Sequence, residues 1–190
     1  MEISKLKIKQ PTCPWWFLFT FDNPLRKLYQ DPYKILAPYL LTGSTVIDLG
    51  CGMGYFSIPM AALVGEQGKV IAVDLQEQML VGLRGRADKA GLVERIKTHH
   101  CTQDQIGVSE EADFILAFWM LHEVHDSRSF LEQILGMLKT GGRLLIAEPY
   151  FHVTRYKFQA MESEINEAGF SISGSPAIGF SRSILVEKDH

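Results

Sequence analysis

Cysteine is scarce in this chain, 3 in 190 residues, and Cys13, Cys51 and Cys101 stand far apart with no Cys-x-x-Cys pair. An odd number of scattered thiols argues against a disulfide framework and for a reducing compartment. Long apolar runs are missing too. The longest, Phe114 to Leu121, falls well short of the ~20 residues that cross a bilayer. Neither sign of charge dominates: 19 Lys+Arg stand against 22 Asp+Glu, a net −3. That balance disfavours a protein that grips nucleic acid mainly through its phosphates, although it leaves room for a local basic patch. Repeats, low-complexity tracts and Ser/Gly linkers are absent as well, so one domain is expected.

What is present is ordinary globular material, 46% hydrophobic and 22% charged, in a chain long enough to bury a substantial core. Lys5, Lys7 and Lys9 precede Trp15-Trp16-Phe17-Leu18-Phe19 in the order of a signal peptide's basic head and apolar middle. Pro11 and Pro14 interrupt that run, and Asp22 follows it without a small-residue cleavage site. The expectation is a soluble, cytoplasmic protein.

Asn23-Pro24 and Asp31-Pro32 each place a capping side chain before a proline, predicting two helix starts. Leu28, Ile35, Leu36, Tyr39 and Leu40 would supply their apolar faces, with Gly43 as the stop. Strands and amphipathic helices then alternate. Strands are predicted at 45–49, 69–73, 96–99, 113–118 and 143–147. Between them fall a helix from about Gly54 to Val64, one carrying Met79, Leu80, Leu83, Ala87 and Ala90, and one capped by Ser127. This third helix turns Phe130, Leu131, Ile134, Leu135 and Leu138 inward and closes at Lys139 and Gly141-Gly142. A helix over 154–168 and an antiparallel pair at 170–173 and 181–187 complete the chain. This pattern predicts an α/β fold: a Rossmann-like, doubly wound, mostly parallel seven-stranded sheet with an antiparallel C-terminal strand and a helical, aromatic N-terminal extension. Ligands of such sheets bind beyond the carboxyl ends of the strands, where the winding reverses.

The loop after the first strand reads Val46-Ile47-Asp48-Leu49-Gly50-Cys51-Gly52-Met53-Gly54-Tyr55-Phe56. Glycines at alternate positions permit a tight turn and a close approach of ligand to main chain. A dinucleotide fingerprint brings a pyrophosphate to a helix N-terminus, where a carboxylate would oppose it. Here the third glycine comes one residue early and Asp48 stands in front, which suits a cationic amine instead. Val70-Ile71-Ala72-Val73-Asp74 ends the second strand in an acid able to accept hydrogen bonds from both hydroxyls of a ribose.

Asp-x-Gly-x-Gly-x-Gly followed by that second acid resembles the class I methyltransferases that use S-adenosylmethionine. The resemblance runs from the helix before Gly43 through the final strands, and includes Leu138-Lys139-Thr140-Gly141-Gly142-Arg143-Leu144-Leu145-Ile146. Within that family the chain looks similar to the small, compact branch that includes quinone-biosynthesis and arsenite methyltransferases. The resemblance implies S-adenosylmethionine as cofactor and S-adenosylhomocysteine as product. Asp48 and the loop residues Gly50, Cys51, Gly52, Gly54 and Tyr55 would hold the methionine moiety. Asp74 would bind the ribose diol, and Leu75 would pack against adenine. The adenine amino group would meet Thr102, Gln103 or Asp104, and Phe118 would border the reacting methyl. It also divides the chain into an arm with helices over 1–42, a candidate lid, and a methyltransferase domain over 43–190.

His122, in Phe118-Trp119-Met120-Leu121-His122-Glu123-Val124-His125-Asp126, follows the fourth strand on the crevice side. Its imidazole suits removal of a proton from a methyl acceptor, or else it is a structural histidine at a helix start. Glu148, in Glu148-Pro149-Tyr150, is a weaker base candidate. Glu123, His125 and Asp126 fit a solvated turn and a cap. His99-His100-Cys101, His122-x-x-His125 and His152 match no recognised zinc spacing, so no metal is expected. The run Trp15–Phe21 suits packing across a sheet edge, a lid over the crevice, or a partner surface.

The expected activity is methyl transfer to a small-molecule acceptor by in-line displacement. A DNA amino-methyltransferase would show an Asn/Asp-Pro-Pro-aromatic tetrad where Ala117-Phe118-Trp119-Met120 stands, and the chain leaves no room for a separate domain that recognises a macromolecule. Two rivals remain at this stage. One is a non-catalytic protein that binds S-adenosylmethionine or S-adenosylhomocysteine. The other, a nicotinamide-dependent oxidoreductase, conflicts with Asp48 and with the glycine spacing.

Overall fold

The β-branched run Thr45–Leu49 forms β1, near the middle of the sheet, in a computed structural model that describes residues 24–188. The aromatic run at 15–21, Cys13 and Asn23 lie outside those residues. A 3-10 turn at Pro24–Leu28 and α1 (Pro32–Leu36) precede β1. After it come α2 (Ser57–Leu63), β2 (Lys69–Asp74), α3 (Glu77–Lys89), β3 (Ile96–His100) and β4 (Ala112–Phe118). The chain continues through α4 (Ser127–Met137), β5 (Leu138–Pro149), α5 (Arg155–Glu167), β6 (Phe170–Gly174) and β7 (Ser181–Lys188).

The seven strands lie in the order β3-β2-β1-β4-β5-β7-β6. β1 runs parallel to β2 and β4, β2 to β3, and β4 to β5, while β7 is antiparallel to both β5 and β6. The winding therefore reverses between β1 and β4, and the crevice opens where those two strands end. Alternation along the strands feeds two apolar layers. Val46, Val70, Phe114 and Leu145 pack with Leu36, Met60, Leu80 and Leu83 from α1, α2 and α3. Ile47, Ile71, Ile115 and Ile146 pack on the opposite face with Leu131 and Ile134 of α4 and Phe158 and Ile165 of α5. Among the described residues no helix is long and apolar enough to cross a membrane.

Several local expectations are corrected. α2 begins at Ser57 rather than near Gly54 because Gly54 has φ +88°, outside the right-handed helical region. The first predicted helix is a 3-10 turn whose Leu28 is 82% exposed. α1 does take its cap from Asp31, which accepts from Tyr33 N, but it ends at Leu36, well before Gly43. The side-chain cap of α4 is Asp126, accepting from Ser129 N, and Ser127 instead donates to Glu164 at 2.6 Å. Leu138 leaves the helix with extended φ/ψ (−85°, 134°), pairs with Ala112 and remains buried there. Ala90, expected inward, is the exposed C-cap of α3.

Leu83 is fully buried in the layer formed by α1, α2 and α3. Leu83→Ala is expected to lower the unfolding free energy by about 3 kcal/mol, measured as a reduced urea midpoint with an unchanged slope.

Candidate active site

The main chain turns sharply at the end of β1. Gly50 N and Cys51 N both donate to Val73 O, at 2.9 and 3.0 Å, folding the loop over the end of β2. Gly52 N then donates to Asp74 Oδ2 at 2.8 Å. Two glycines are sterically required. Gly50 has φ +68°, and a Cβ there would stand 3.0 Å from Met120 Cβ, in the loop after β4. Gly54 has φ +88°, and a Cβ would lie 2.2 Å from Leu83 Cδ1. The loop is thereby pressed between α3 and the β4 exit, with its main chain lining the crevice.

Two acids end the neighbouring strands. Asp48 lies buried on β1 and accepts from Ser57 Oγ at 2.5 Å. Burial pushes its carboxyl up to about 7 against the opposing Ser57 hydrogen bond; Asp74 adds to the rise and Arg26 opposes it. Asp74 is also buried, and its other oxygen accepts from Gln76 N at 2.8 Å. Burial raises it too, held back by the N–H groups of Gln76, Gly52 and Leu75. Leu75 is half-buried, and its carbonyl accepts from His100 Nε2 at 2.9 Å. Cys101 N donates to Asp74 O at 3.1 Å, which ties the β3 exit to the same corner. Thr102, Gln103 and Asp104 follow in an exposed turn closed by Thr102 N on Gln105 O at 3.0 Å. Buried Cys51 is pushed well above its ordinary value by desolvation, then by Asp48 and Asp74, so it stays a neutral thiol in the loop.

The remaining wall is aromatic. Phe118 packs at a tilt on Phe56 at 4.4 Å and on Trp119 at 5.6 Å, and Phe56 meets the Tyr55 ring at 5.2 Å. Trp119 has φ 58°, a left-handed conformation that costs a bulky side chain of order 1–3 kcal/mol. Both its ends are fixed: the main-chain N donates to Ala147 O at 2.7 Å and the indole to Ser181 Oγ at 2.8 Å. Arg26, nine-tenths buried, places its guanidinium carbon 4.1 Å from the centroid of Tyr55 and 5.2 Å from that of Trp119.

A second polar cluster sits beside this wall. Glu148, completely buried at the end of β5, accepts from Leu121 N at 2.9 Å and from His122 Nδ1. Burial alone would lower the His122 imidazole, but the hydrogen bond and charge of Glu148 carry it above its ordinary value. The His122 ring stacks on that of His152 at 5.7 Å. Both oxygens of Glu148 are engaged and unexposed, so it orients His122 and is not placed to act as a base on a ligand. His125 and Asp126 are exposed, Asp126 as the cap already noted.

Sequence reasoning missed Arg26, Gln30 and Ser181 as neighbours of the site. No local motif marks them, because they reach it from the turn before α1 and from the start of β7. Ser57, nine residues beyond Asp48, was legible only as a position one helical turn past the glycines. Among the described residues no three His, Cys, Asp or Glu side chains group as metal ligands.

The folded state holds the Asp48 proton more tightly than an unfolded chain, whose Asp titrates near 3.8. Its contribution to stability is therefore full below about pH 4 and is lost as the pH climbs through about 7. The loss approaches about 4 kcal/mol, three units at about 1.36 kcal/mol each. Asp48→Asn is expected to lose less stability than the parent between pH 4 and 8, read as a flatter plot of urea midpoint against pH.

Comparison with known proteins places this site in a family. Residues 40–174 match a family model described as a methyltransferase domain. Over 107 residues the chain is 32% identical to the ubiquinone/menaquinone biosynthesis C-methyltransferase UbiE of Escherichia coli, covering 56% of this chain and 43% of that protein. The chain thus matches less than half the length of these curated relatives. A SAM-dependent methyltransferase of Aquifex aeolicus superposes with a TM-score of 0.84 at 25% identity, covering 93% of this chain and 99% of that one. A SAM-dependent O-methyltransferase of Thermotoga maritima shares the fold, with a TM-score of 0.67, 21% identity, and 84% and 65% of the two chains covered. The chain belongs to the methyltransferase-domain family and carries the class I fold that binds S-adenosylmethionine.

Proposed function

We propose that this protein methylates a small cytoplasmic molecule whose acceptor atom gives up a proton to His122, and that it does not act on nucleic acid. The observation that carries this reading is the buried Glu148 bonded to His122 at the mouth of the crevice. The relatives named above include a C-methyltransferase and an O-methyltransferase, so likeness alone leaves the acceptor atom open.

The site fits the cofactor on its own geometry. Two buried acids flank a glycine turn with open space at Gly52 where a Cβ would stand, an arrangement that favours a cationic ligand and opposes a diphosphate. In this reading Asp48 faces the ammonium end, with Gly50, Cys51, Gly52, Gly54 and Tyr55 around it. Each Asp74 oxygen already takes one main-chain N–H and keeps acceptor capacity for a ribose hydroxyl. Leu75 and the turn at Thr102, Gln103 and Asp104 border the adenine, and Phe118 lies by the methyl group. In this reading the chain divides at residue 42 into an N-terminal segment and a catalytic domain.

When bound, S-adenosylmethionine supplies an electrophilic methyl carbon that takes the acceptor's lone pair while the electrons of the broken carbon–sulfur bond stay on sulfur. The protein's share is alignment of the acceptor and removal of its proton. Glu148 fixes Nδ1 of His122 as the protonated nitrogen, which leaves Nε2 with the lone pair that receives that proton. Trp119 and Phe151 meet edge to face at 5.6 Å, and Phe151 in turn meets the His152 ring that stacks on His122.

Asp74→Ala is expected to weaken S-adenosylhomocysteine binding about 10- to 100-fold, the worth of one or two charge-assisted hydrogen bonds, in a calorimetric titration. Unchanged affinity would remove Asp74 from the site.

His122→Ala is expected to lower kcat about 10²- to 10⁴-fold with little effect on cofactor affinity. Because the imidazole must be neutral to accept a proton, turnover rises with pH through a limb above the ordinary histidine value. Glu148→Gln is expected to move that limb to lower pH and to reduce kcat. A pH–rate profile insensitive to Glu148→Gln would refute the pair, and cofactor binding without transfer to any metabolite would point to a binding protein.

A further inference from the structure

Four aromatic rings converge on one cation in this molecule. The Arg26 guanidinium carbon lies 4.1, 5.2, 5.5 and 5.7 Å from the centroids of Tyr55, Trp119, Phe118 and Phe56. The four rings also touch in series, and they come from the two sides of the crevice: Tyr55 and Phe56 from the loop after β1, Phe118 and Trp119 from the end of β4. Ring faces attract cations through their quadrupoles, more strongly where water is excluded, and Arg26 is only 9% exposed. Its charge also reaches Asp48, whose ionised form it favours.

The segment that carries Arg26 is fastened to the site by hydrogen bonds. Arg26 Nε donates to Gln30 Oε1 at 2.8 Å, and Gln30 Nε2 donates to Gly179 O at 2.6 Å and to Ser181 Oγ at 3.4 Å. Tyr55 OH donates to Gln30 O at 2.7 Å. The apolar residues of the same turn point outward, Leu25 64% and Leu28 82% exposed. Lifting residues 24–30 would remove Arg26 and Gln30 from the crevice and uncover the four rings.

We propose that the box of Tyr55, Phe56, Phe118 and Trp119 is a cation subsite within the crevice, that Arg26 is its intramolecular occupant, and that the positively charged sulfonium of the methyl donor displaces Arg26 whereas the neutral thioether product does not. This rests on the methyltransferase reading of the same crevice. Two unit positive charges cannot share one desolvated box, so a charged ligand opens the strap at 24–30. After methyl transfer the sulfur is neutral, and the box regains its affinity for Arg26 without competition from the product. The rings thereby distinguish donor from product by charge alone.

The test is calorimetric binding of S-adenosylmethionine and S-adenosylhomocysteine to the full chain and to Arg26→Gln. Removal of the competing occupant is expected to tighten donor binding about tenfold, because the apparent affinity no longer carries the cost of emptying the box. Product affinity is expected to stay within about twofold. Equal weakening of both ligands would overturn the proposal, since Arg26 would then anchor a group that donor and product share. No change in either would overturn it as well. Should Arg26→Gln fail to melt cooperatively, Tyr55→Leu decides: loss of the nearest ring is expected to lower the donor-to-product affinity ratio, and an unchanged ratio refutes the box. If the parent protein binds neither ligand, the methyltransferase reading fails first, a result distinguishable from a parent that binds both with Arg26 irrelevant.

Discussion

A carboxylate kept out of water is the constraint on which the crevice depends. Asp48 shares a β1 face with Val46, in a strand whose other inward residues are all apolar, and burial pushes its carboxyl up to about 7. One hydroxyl from Ser57 offsets only part of the lost hydration. Asp74, on the next strand, adds a second buried acid to the same corner. Such a corner is stabilised by positive charge. The protein brings one from a distant segment, Arg26, and holds it in aromatic rings rather than against either acid. The site is thus biased toward cations before any ligand arrives, and the glycine turn keeps that bias accessible from the main-chain side.

The other buried acid follows a different logic. Glu148 is wholly enclosed at the end of β5, yet each oxygen has a donor, Leu121 N on one and His122 on the other. A carboxylate so supported acts on its neighbour and not on a ligand. It fixes which imidazole nitrogen carries the proton and raises that ring's affinity for a second one. Asp48 and Glu148 are both buried acids at strand ends. Their roles separate because the donors on Asp48 come from Ser57 alone, whereas one of those on Glu148 is the His122 imidazole.

The sequence made the frame legible and left its closure obscure. The strands predicted at 45–49, 69–73 and 113–118, observed at 45–49, 69–74 and 112–118, follow from β-branched and apolar runs that a covered parallel sheet accommodates. The acids and glycines were legible because a tight turn beside a charged ligand restricts both residue type and spacing. Errors clustered where tertiary contacts override local preference. Leu138 has helical spacing but is claimed by pairing with Ala112. Leu28 fits an apolar face but lies on a turn with nothing beneath it. Glu148 was a candidate base until its burial and its two donors were seen. Arg26 could not have been found, since its role comes from rings about 30 and 90 positions away along the chain.

Under the proposed reading, the division of labour along the crevice follows from which rings belong to the core. Phe56 and Phe118 are members of the apolar layer that also holds Leu36, Met60 and Leu83, so the cofactor end cannot change shape without loosening the fold. Outward from Trp119 the rings form a separate series: Phe151 at 5.6 Å, Tyr150 at 6.1 Å, Phe180 at 5.9 Å and Tyr29 at 4.7 Å. All four of these are more than two-fifths exposed. Residues on that rim support little of the core and are free to vary with the molecule they meet. A conserved-shape donor pocket and a replaceable aromatic rim are what a single fold requires if it is to serve acceptors of different chemistry. In this protein the boundary between the two falls at Trp119, the residue whose strained backbone joins them.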